Sequence, residues 1–403
     1  MNQKRSLNLQ AFALVVGMGI AQLLVAALYI LTARGMQPDE YGTVVTAIGV
    51  GLACAGFIDL GANAYWVREL ASQQIAADEL NARMASRFLI VLAASAATVV
   101  GALIIAPEFV ATGFLLSSST FAQTSLVPLR AAQRSEAVAW LTVVGRVFSV
   151  AVFLGQTSMG IPAGVSLWSS LVLGDVTLTL CALAVTPKDD RPRIRLRSMA
   201  NPWSGTKWYA VTNLSVSAQQ LDLPIVAVLA GSGAAGIYGG VNRWTQPLLV
   251  AIGAFASAAA PFMAAEPRLA ALRGQLLRAS WILVAAIGLS LGVFVAAPWL
   301  VTSLLGSSFS NSAPILRLLA LAMLLNCFTQ PMLVALQSRR RDHLAAGIVA
   351  AAVVVQLTFV VALTSSLGAL AAGIGVLIAQ VIALVGTMIC IVVIYRRRSK
   401  APN

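Results

Sequence analysis

Twelve stretches of 19 to 28 residues, nearly free of charge, follow one another along this chain and leave it few ways to fold. The first, Ala11–Ala33, carries no charged residue. At about 1.5 Å per helical residue it is long enough to cross a hydrocarbon layer of about 30 Å. It exceeds the apolar part of a signal peptide, and Arg34 follows it where a small-residue cleavage site would stand, so it is expected to be retained. The other spans are Gly42–Tyr65, Phe88–Ala106, Phe109–Leu129, Ala137–Gly155, Ala163–Val185, Trp208–Ala230, Ile237–Phe262, Ala279–Leu305, Ala313–Leu336, Leu344–Leu363 and Gly368–Tyr395. Lipid offers no partner to an open backbone N–H or C=O, so each must be a helix. Only 10% of the residues are charged, against about 25% in soluble domains. The sequence predicts an all-α polytopic membrane protein with twelve transmembrane helices.

The segment Pro187–Lys207 interrupts this series at its midpoint, with four arginines, two lysines and two aspartates. Six spans precede it and six follow. The expected organisation is therefore a six-helix lobe over 1–186, a basic linker over 187–207 and a second six-helix lobe over 208–403. With the amino terminus on the cytoplasmic side, 23 of the 27 Lys and Arg fall on inner loops and tails, and Arg34 alone on an outer one. That distribution obeys the positive-inside rule and predicts a multi-pass membrane protein with both termini cytoplasmic. It also accounts for the net charge of +13 without nucleic acid as a partner. The run Arg-Ile-Arg-Leu-Arg at 193–197 anchors the topology or grips anionic membrane lipids, at about 1 kcal/mol per basic residue. Trp66–Arg87 reads as an inner loop, either a short amphipathic surface helix or a solvated linker.

The halves resemble each other. Tyr41-Gly42 opens the second helix of the first half and Tyr238-Gly239 that of the second, while Gln133-Arg134 and Gln337-Ser338-Arg339 close the fourth helix of each. Six is an even number, so both halves share one orientation and the repeat is parallel.

Six charges lie inside the spans: Asp59, Arg146, Asp175, Asp222, Arg243 and Arg317. Each costs about 2.5–3.5 kcal/mol at a helix centre and needs a partner, water or a ligand. Arg146 and Asp175 lie at matching depth on successive helices, as do Asp222 and Arg243, so both are expected to form ion pairs, either as neutral clamps or as the lining of an aqueous cavity. Arg68 is the expected partner of Asp59. Arg317 has no acidic mate, and Arg34 only Asp39 and Glu40 nearby; snorkelling competes with a binding role for both. Pro224 follows Asp222 closely and frees the carbonyl of Gln220, so a broken helix is expected there. Pro247 and Pro331 are expected to kink the eighth and tenth helices. The four cysteines sit in apolar segments and read as fillers. No spacing suggests a metal site, and His343 is the single histidine, in a polar loop.

The stretch Arg34-Gly-Met-Gln-Pro-Asp-Glu-Tyr-Gly42, with Asp59-Leu60-Gly61 and Arg68-Glu69-Leu70, resembles the first-half signature of bacterial polysaccharide and O-antigen flippases. These belong to the multidrug/oligosaccharidyl-lipid/polysaccharide (MOP) exporter superfamily. Asp222, Gly231, Gly236-Ile237-Tyr238 and Arg243, and then Leu305-Gly306 to Phe309 and Ile315-Leu-Arg317, are similar to the second-half pattern. The resemblance implies two six-helix lobes in a V and alternating access. The implied cargo is an oligosaccharide on an isoprenoid pyrophosphate, carried to the outer leaflet for surface polysaccharide synthesis. Its implied partners are that lipid-linked glycan, membrane lipids, and the polymerase and glycosyltransferases of the same pathway, with the chain a monomer. Arginine forks suit phosphate oxygens, so Arg146, Arg243, Arg34 and Arg317 are candidate substrate ligands. Asp222, Asp175, Asp59 and Pro224 are candidates for coupling or gating, by H+ or Na+, with no other cofactor. A multidrug exporter of the same fold is the alternative, although the first helix lacks the acidic residue and proline of proton-coupled drug exporters. A glycan polymerase or ligase is disfavoured by outer loops of about eight residues or fewer.

Overall fold

The computed structural model describes residues 2–187, 191, 199–265, 269–338 and 341–399; the side chains of 2–15, 77, 246–265, 269–283, 285–286, 337–338 and 394–399 are not described. The Arg-rich run at 193–197, Arg268 and Arg339 lie outside the described residues. Among the described residues there is no strand. The first half comprises α1 (Asn2–Arg34), α2 (Pro38–Asp59), α3 (Ala62–Ala71), α4 (Ala77–Ile105), α5 (Val110–Ser125), α6 (Val127–Ala131), α7 (Ser135–Ser158) and α8 (Ala163–Val185). The second comprises α9 (Lys207–Gln219), α10 (Asp222–Ala265), α11 (Leu269–Leu304), α12 (Ala313–Ser338), α13 (Asp342–Leu367) and α14 (Leu370–Ser399).

Local chemistry explains the ends of α2. Pro38 occupies its first turn, where a missing N–H is harmless, and Asp39 and Glu40 complement the helix dipole. At its other end Leu60 and Gly61 both adopt the left-handed conformation, and α3 departs directly. The expected loop Trp66–Arg87 is in fact the end of α3, a short turn, and the first turns of α4. Trp66 is buried there with Ile75, Leu80 and Met84. Arg83 and Arg87, assigned by sequence to solvent, are also buried.

Ten helices among the described residues are long and apolar enough to cross a membrane, and with the divided fourth and the joined seventh and eighth they make up twelve crossings among those residues. The fourth is divided into α5 and α6, with Leu126 between them and Pro128 at the start of α6. The seventh and eighth run together in one continuous span, Lys207–Thr245. The seventh crossing is broken as expected, but upstream of Pro224. Helix α9 stops at Gln219, and α10 restarts at Asp222 with Pro224 in its first turn, where proline is tolerated. The seventh and eighth crossings meet at Gly231, whose φ of 87° and ψ of 166° suit only glycine. Pro331 lies inside α12, as does Pro298 inside α11. At Pro247 only the backbone is described, and it is helical.

One hydrophobic cluster spans both halves, joining Leu28 and Tyr29 of α1, Tyr41 and Ile48 of α2, Leu223 and Tyr238 of α10, and Phe309 before α12. Helix α2 follows α10 closely. A Cβ on Gly42 would overlap the Ser232 carbonyl oxygen, and one on Gly236 the Pro38 carbonyl oxygen. The repeated Tyr-Gly pairs of the sequence thus lie at the junction, with Tyr41 and Tyr238 fully buried.

Candidate functional site

The junction between the halves holds most of the buried polar chemistry. Asp222, in the first turn of α10, accepts the Tyr238 hydroxyl at 2.5 Å on Oδ2 and the Gln356 amide at 3.4 Å on the same oxygen. Its Oδ1 accepts the Leu223 backbone N–H at 2.6 Å. Gln219 donates to Gln356 Oε1 at 3.0 Å, which ties the broken seventh crossing to α13. The expected Asp222–Arg243 ion pair does not form. Arg243 instead donates through Nη1 to Gln220 Oε1 at 2.9 Å. Matching depth along the membrane does not fix the direction a side chain faces. Tyr238 sits five residues before Arg243 and takes the carboxylate.

Arg243 is 4% exposed. Its Nε and Nη2 have no hydrogen-bond partner, and neither have the Tyr41 hydroxyl and Thr46 Oγ1 of α2 or Trp244 Nε1, the next residue in the chain. Nη2 lies 2.7 Å from where a Cβ on Gly49 of α2 would be, so the guanidinium presses on the first half. An unmet buried donor costs about 1–3 kcal/mol, more when charged.

Arg146 and Asp175 do pair, Nη2 to Oδ1 at 3.0 Å, between α7 and α8. The buried Tyr29 of α1 is within electrostatic reach of Arg146, Asp175 and Arg243 together. Three of the sequence-selected charges thus act on one buried tyrosine. It does not bring Arg34 or Arg317 there. Arg34 reaches across to the second half and donates to the Ser303 carbonyl at 2.8 Å, leaving Asp39 and Glu40 without it. Arg317 is exposed, with its guanidinium 5.9 Å from the Phe294 ring centre.

Asp59 is satisfied by Arg87 at 2.7 Å, not by Arg68. Arg68 is on the surface and donates to the Tyr209 hydroxyl at 3.0 Å, a contact that raises its pKa above the ordinary arginine value. Sequence reasoning missed Arg87, Tyr238, Gln220 and Gln356. Glu79, Arg83 and Arg87 recur at four-residue spacing on one helix face, which could have extended α4 back through them. The four cysteines are free, and no group of metal-binding residues occurs among the described ones.

Along α2 the halves meet at both ends. Besides Arg34–Ser303 and the Gly42–Gly236 approach, the Asn213 amide donates to the Gly56 carbonyl at 2.7 Å and Trp203 Nε1 to the Ile58 carbonyl at 2.9 Å. Arg243 is thus enclosed, and an oxyanion could reach its free N–H groups only if α2 and α10 parted.

No protein-family model and no curated protein matches this chain. Solved structures do. An inward-facing MATE-family multidrug resistance transporter of the MOP superfamily shares 15% identity at a TM-score of 0.68, over 97% of this chain and all of that one. The lipid II flippase MurJ in an inward closed conformation shares 9% identity at a TM-score of 0.73, over 94% of this chain and 87% of that one. A MOP transporter from Pyrococcus furiosus, described by a binding pocket of reversed polarity, shares 15% identity at 0.61, over 94% of each chain. This chain accordingly has the twelve-helix, two-lobe fold of these solved transporters.

Proposed function

We propose that this chain is a flippase that carries an isoprenoid-pyrophosphate-linked oligosaccharide from the cytoplasmic to the outer leaflet. The lobes, 1–186 and 208–403, alternate access about the linker 187–207 in a bacterial inner membrane. The observation that carries the reading is the enclosed guanidinium of Arg243, buried where the halves meet with two nitrogens unpartnered. A pyrophosphate supplies the oxygens that guanidinium lacks, and arginine binds such oxygens in bidentate geometry. Arg146 joins it when Asp175 releases it. Arg34, at the outer end, opens with the lobes, and Arg317 has the weakest claim. Asp222 and Pro224, at the break in the seventh crossing, are the coupling elements, driven by H+ or Na+.

The reading is tested in proteoliposomes loaded with a fluorescent lipid-linked oligosaccharide, scored by accessibility of the glycan to an external lectin. Arg243→Ala and Arg146→Ala should each abolish transfer while Arg134→Ala does not. Wild-type transfer in both variants rejects the site.

The buried Asp222–Tyr238–Gln356 network favours a second reading, a multidrug or cation exporter in which the carboxylate exchanges a proton for a cationic drug. Ethidium efflux from the same vesicles, with no movement of the lipid-linked glycan, would establish it instead.

A further inference from the structure

A cavity of about 350 Å3 lies away from Arg146 and Arg243, at the end of the bundle where α2, α4 and α9 carry Asp59, Arg87 and Asn213. Asn63 at the start of α3, Ser119, Thr120 and Gln123 of α5 and Arg130 of α6 complete its polar lining. Its charges do not balance. Asp59 is committed to Arg87 at 2.7 Å, and Arg87 also donates to Asn63 Oδ1 at 2.9 Å. Arg130 has no carboxylate of its own and donates Nη2 to the neutral Gln123 Oε1 at 2.9 Å. Two guanidiniums therefore face one carboxylate, a surplus of one positive charge.

Arg130 is half-buried beside the Asp59–Arg87 pair and bonded only to a neutral amide. The group stays protonated at neutral pH and so remains an uncompensated cation. The amides of Asn63 and Gln123 have spent their oxygens on arginines, which leaves their N–H groups for another acceptor. Arg87 Nε is likewise without a partner. Asp59, Asn213 and Ser119 also bring acceptor oxygens to the lining, but the charge left without an opposite is that of Arg130.

We infer that this cavity binds a phosphate-type oxyanion, held by Arg130 with the amides of Asn63 and Gln123. A tetrahedral anion with several acceptor oxygens matches the unspent donors, and the guanidinium of Arg130 can grip two oxygens at once. The site is distinct from the Arg243 junction, shares no residue with it, and stands whether the cargo is a lipid-linked glycan or a drug. Free phosphate and the headgroup of an anionic phospholipid carry the same chemistry. Asn213 belongs to the second half, so an occupant would touch both halves beside the Asn213–Gly56 contact.

Two measurements on the full chain test the site and separate the sources. Inorganic phosphate is titrated calorimetrically into protein in phosphatidylcholine nanodiscs, and phosphatidylglycerol retained from mixed nanodiscs is counted by native mass spectrometry. Each is run on wild type, Arg130→Gln and the exposed-site control Arg134→Gln, with folding checked by thermal melting. Arg130→Gln should weaken phosphate binding by about tenfold, as for a lost charged hydrogen bond, or lose one retained phosphatidylglycerol, while Arg134→Gln changes neither. Loss in the first measurement alone identifies free phosphate, and loss in the second alone identifies the lipid headgroup. Arg130→Gln behaving as wild type in both, or Arg134→Gln losing as much, overturns the inference. Arg130 is half-buried and replaceable without breaking an ion pair, unlike Arg87, so a folded variant is available.

Discussion

The Tyr238 hydroxyl reaches back sixteen residues to Asp222, 2.5 Å from its Oδ2, and so fastens the restart of the seventh crossing to the eighth across the break at Gly231. Tyr238→Phe leaves that oxygen with only the 3.4 Å contact from Gln356. The loss should be about 1–3 kcal/mol, the range for a buried acceptor stripped of its donor. Tyr41→Phe is the control, because the Tyr41 hydroxyl is buried without a partner and its removal should be neutral or stabilising. Unfolding of both variants in detergent, followed by circular dichroism, distinguishes them; equal losses would contradict the assigned bond.

The Asp59–Arg87 pair predicts a second contrast. Arg87 is 2% exposed, and its removal strands a carboxylate and the Asn63 amide together. Arg87→Ala should destabilise by about 3 kcal/mol, as for a broken buried pair. Arg68 is 60% exposed with its carboxylate neighbour Glu69 at 3.8 Å, so Arg68→Ala should change stability by less than about 1 kcal/mol. The same unfolding measurement checks both, and a larger effect at Arg68 would restore the pairing expected from sequence.

What the sequence made legible follows from what hydropathy and charge report. Helix number and the position of each charge along the membrane normal come directly from run lengths, and Arg146–Asp175 was found that way because α7 and α8 are successive unbroken helices. The same reasoning failed for Asp222 and Arg243, since Asp222 opens a restarted helix, the break at Gly231 intervenes, and a break resets the rotation of every later side chain. Gln219, Gln220 and Gln356 escaped notice because an uncharged amide barely lowers the hydropathy of an apolar run. Arg83 and Arg87 were placed in a loop because charge was equated with water. In the fold they are buried on α4, Arg83 against Glu79 and Arg87 against Asp59.

Trp203 offers a test of how the linker is held. Its indole N–H donates to the Ile58 carbonyl, and its ring packs on the cluster of Trp66, Ile75 and Met84. Arg83 adds a bond to the Ser204 carbonyl at 3.0 Å and Ser86 one from the Ala200 N–H at 3.1 Å. Trp203→Ala should loosen this strap, costing about 2 kcal/mol for a half-buried aromatic. Limited trypsin digestion should then cut within the basic linker markedly faster than in wild type; an unchanged rate would mean that the strap does not restrain the linker.

Glycine spacing along α2 makes the last prediction. Alanine at a helical glycine ordinarily gains up to about 1 kcal/mol, and Gly19 of α1, with open space around its missing Cβ, should show that gain. Gly49 should not. A methyl there meets Arg243 Nη2 at 2.7 Å, and the buried guanidinium that must shift to admit it also holds Gln220 through Nη1. Gly42→Ala is worse, because its methyl meets the backbone of Ser232 and Gly236, which cannot swing aside as a side chain can. Overpacking of a tight core costs about 1–3 kcal/mol, so Gly49→Ala should be net destabilising by about 1 kcal/mol and Gly42→Ala by more. If the halves must part to work, Gly42→Ala should also bias them apart, and a cysteine placed at Ser232 should react faster with a membrane-impermeant maleimide in that background. Stability that ranks Gly19, Gly49 and Gly42 in this order supports the close approach of α2 to α10, and a gain at all three positions would refute it.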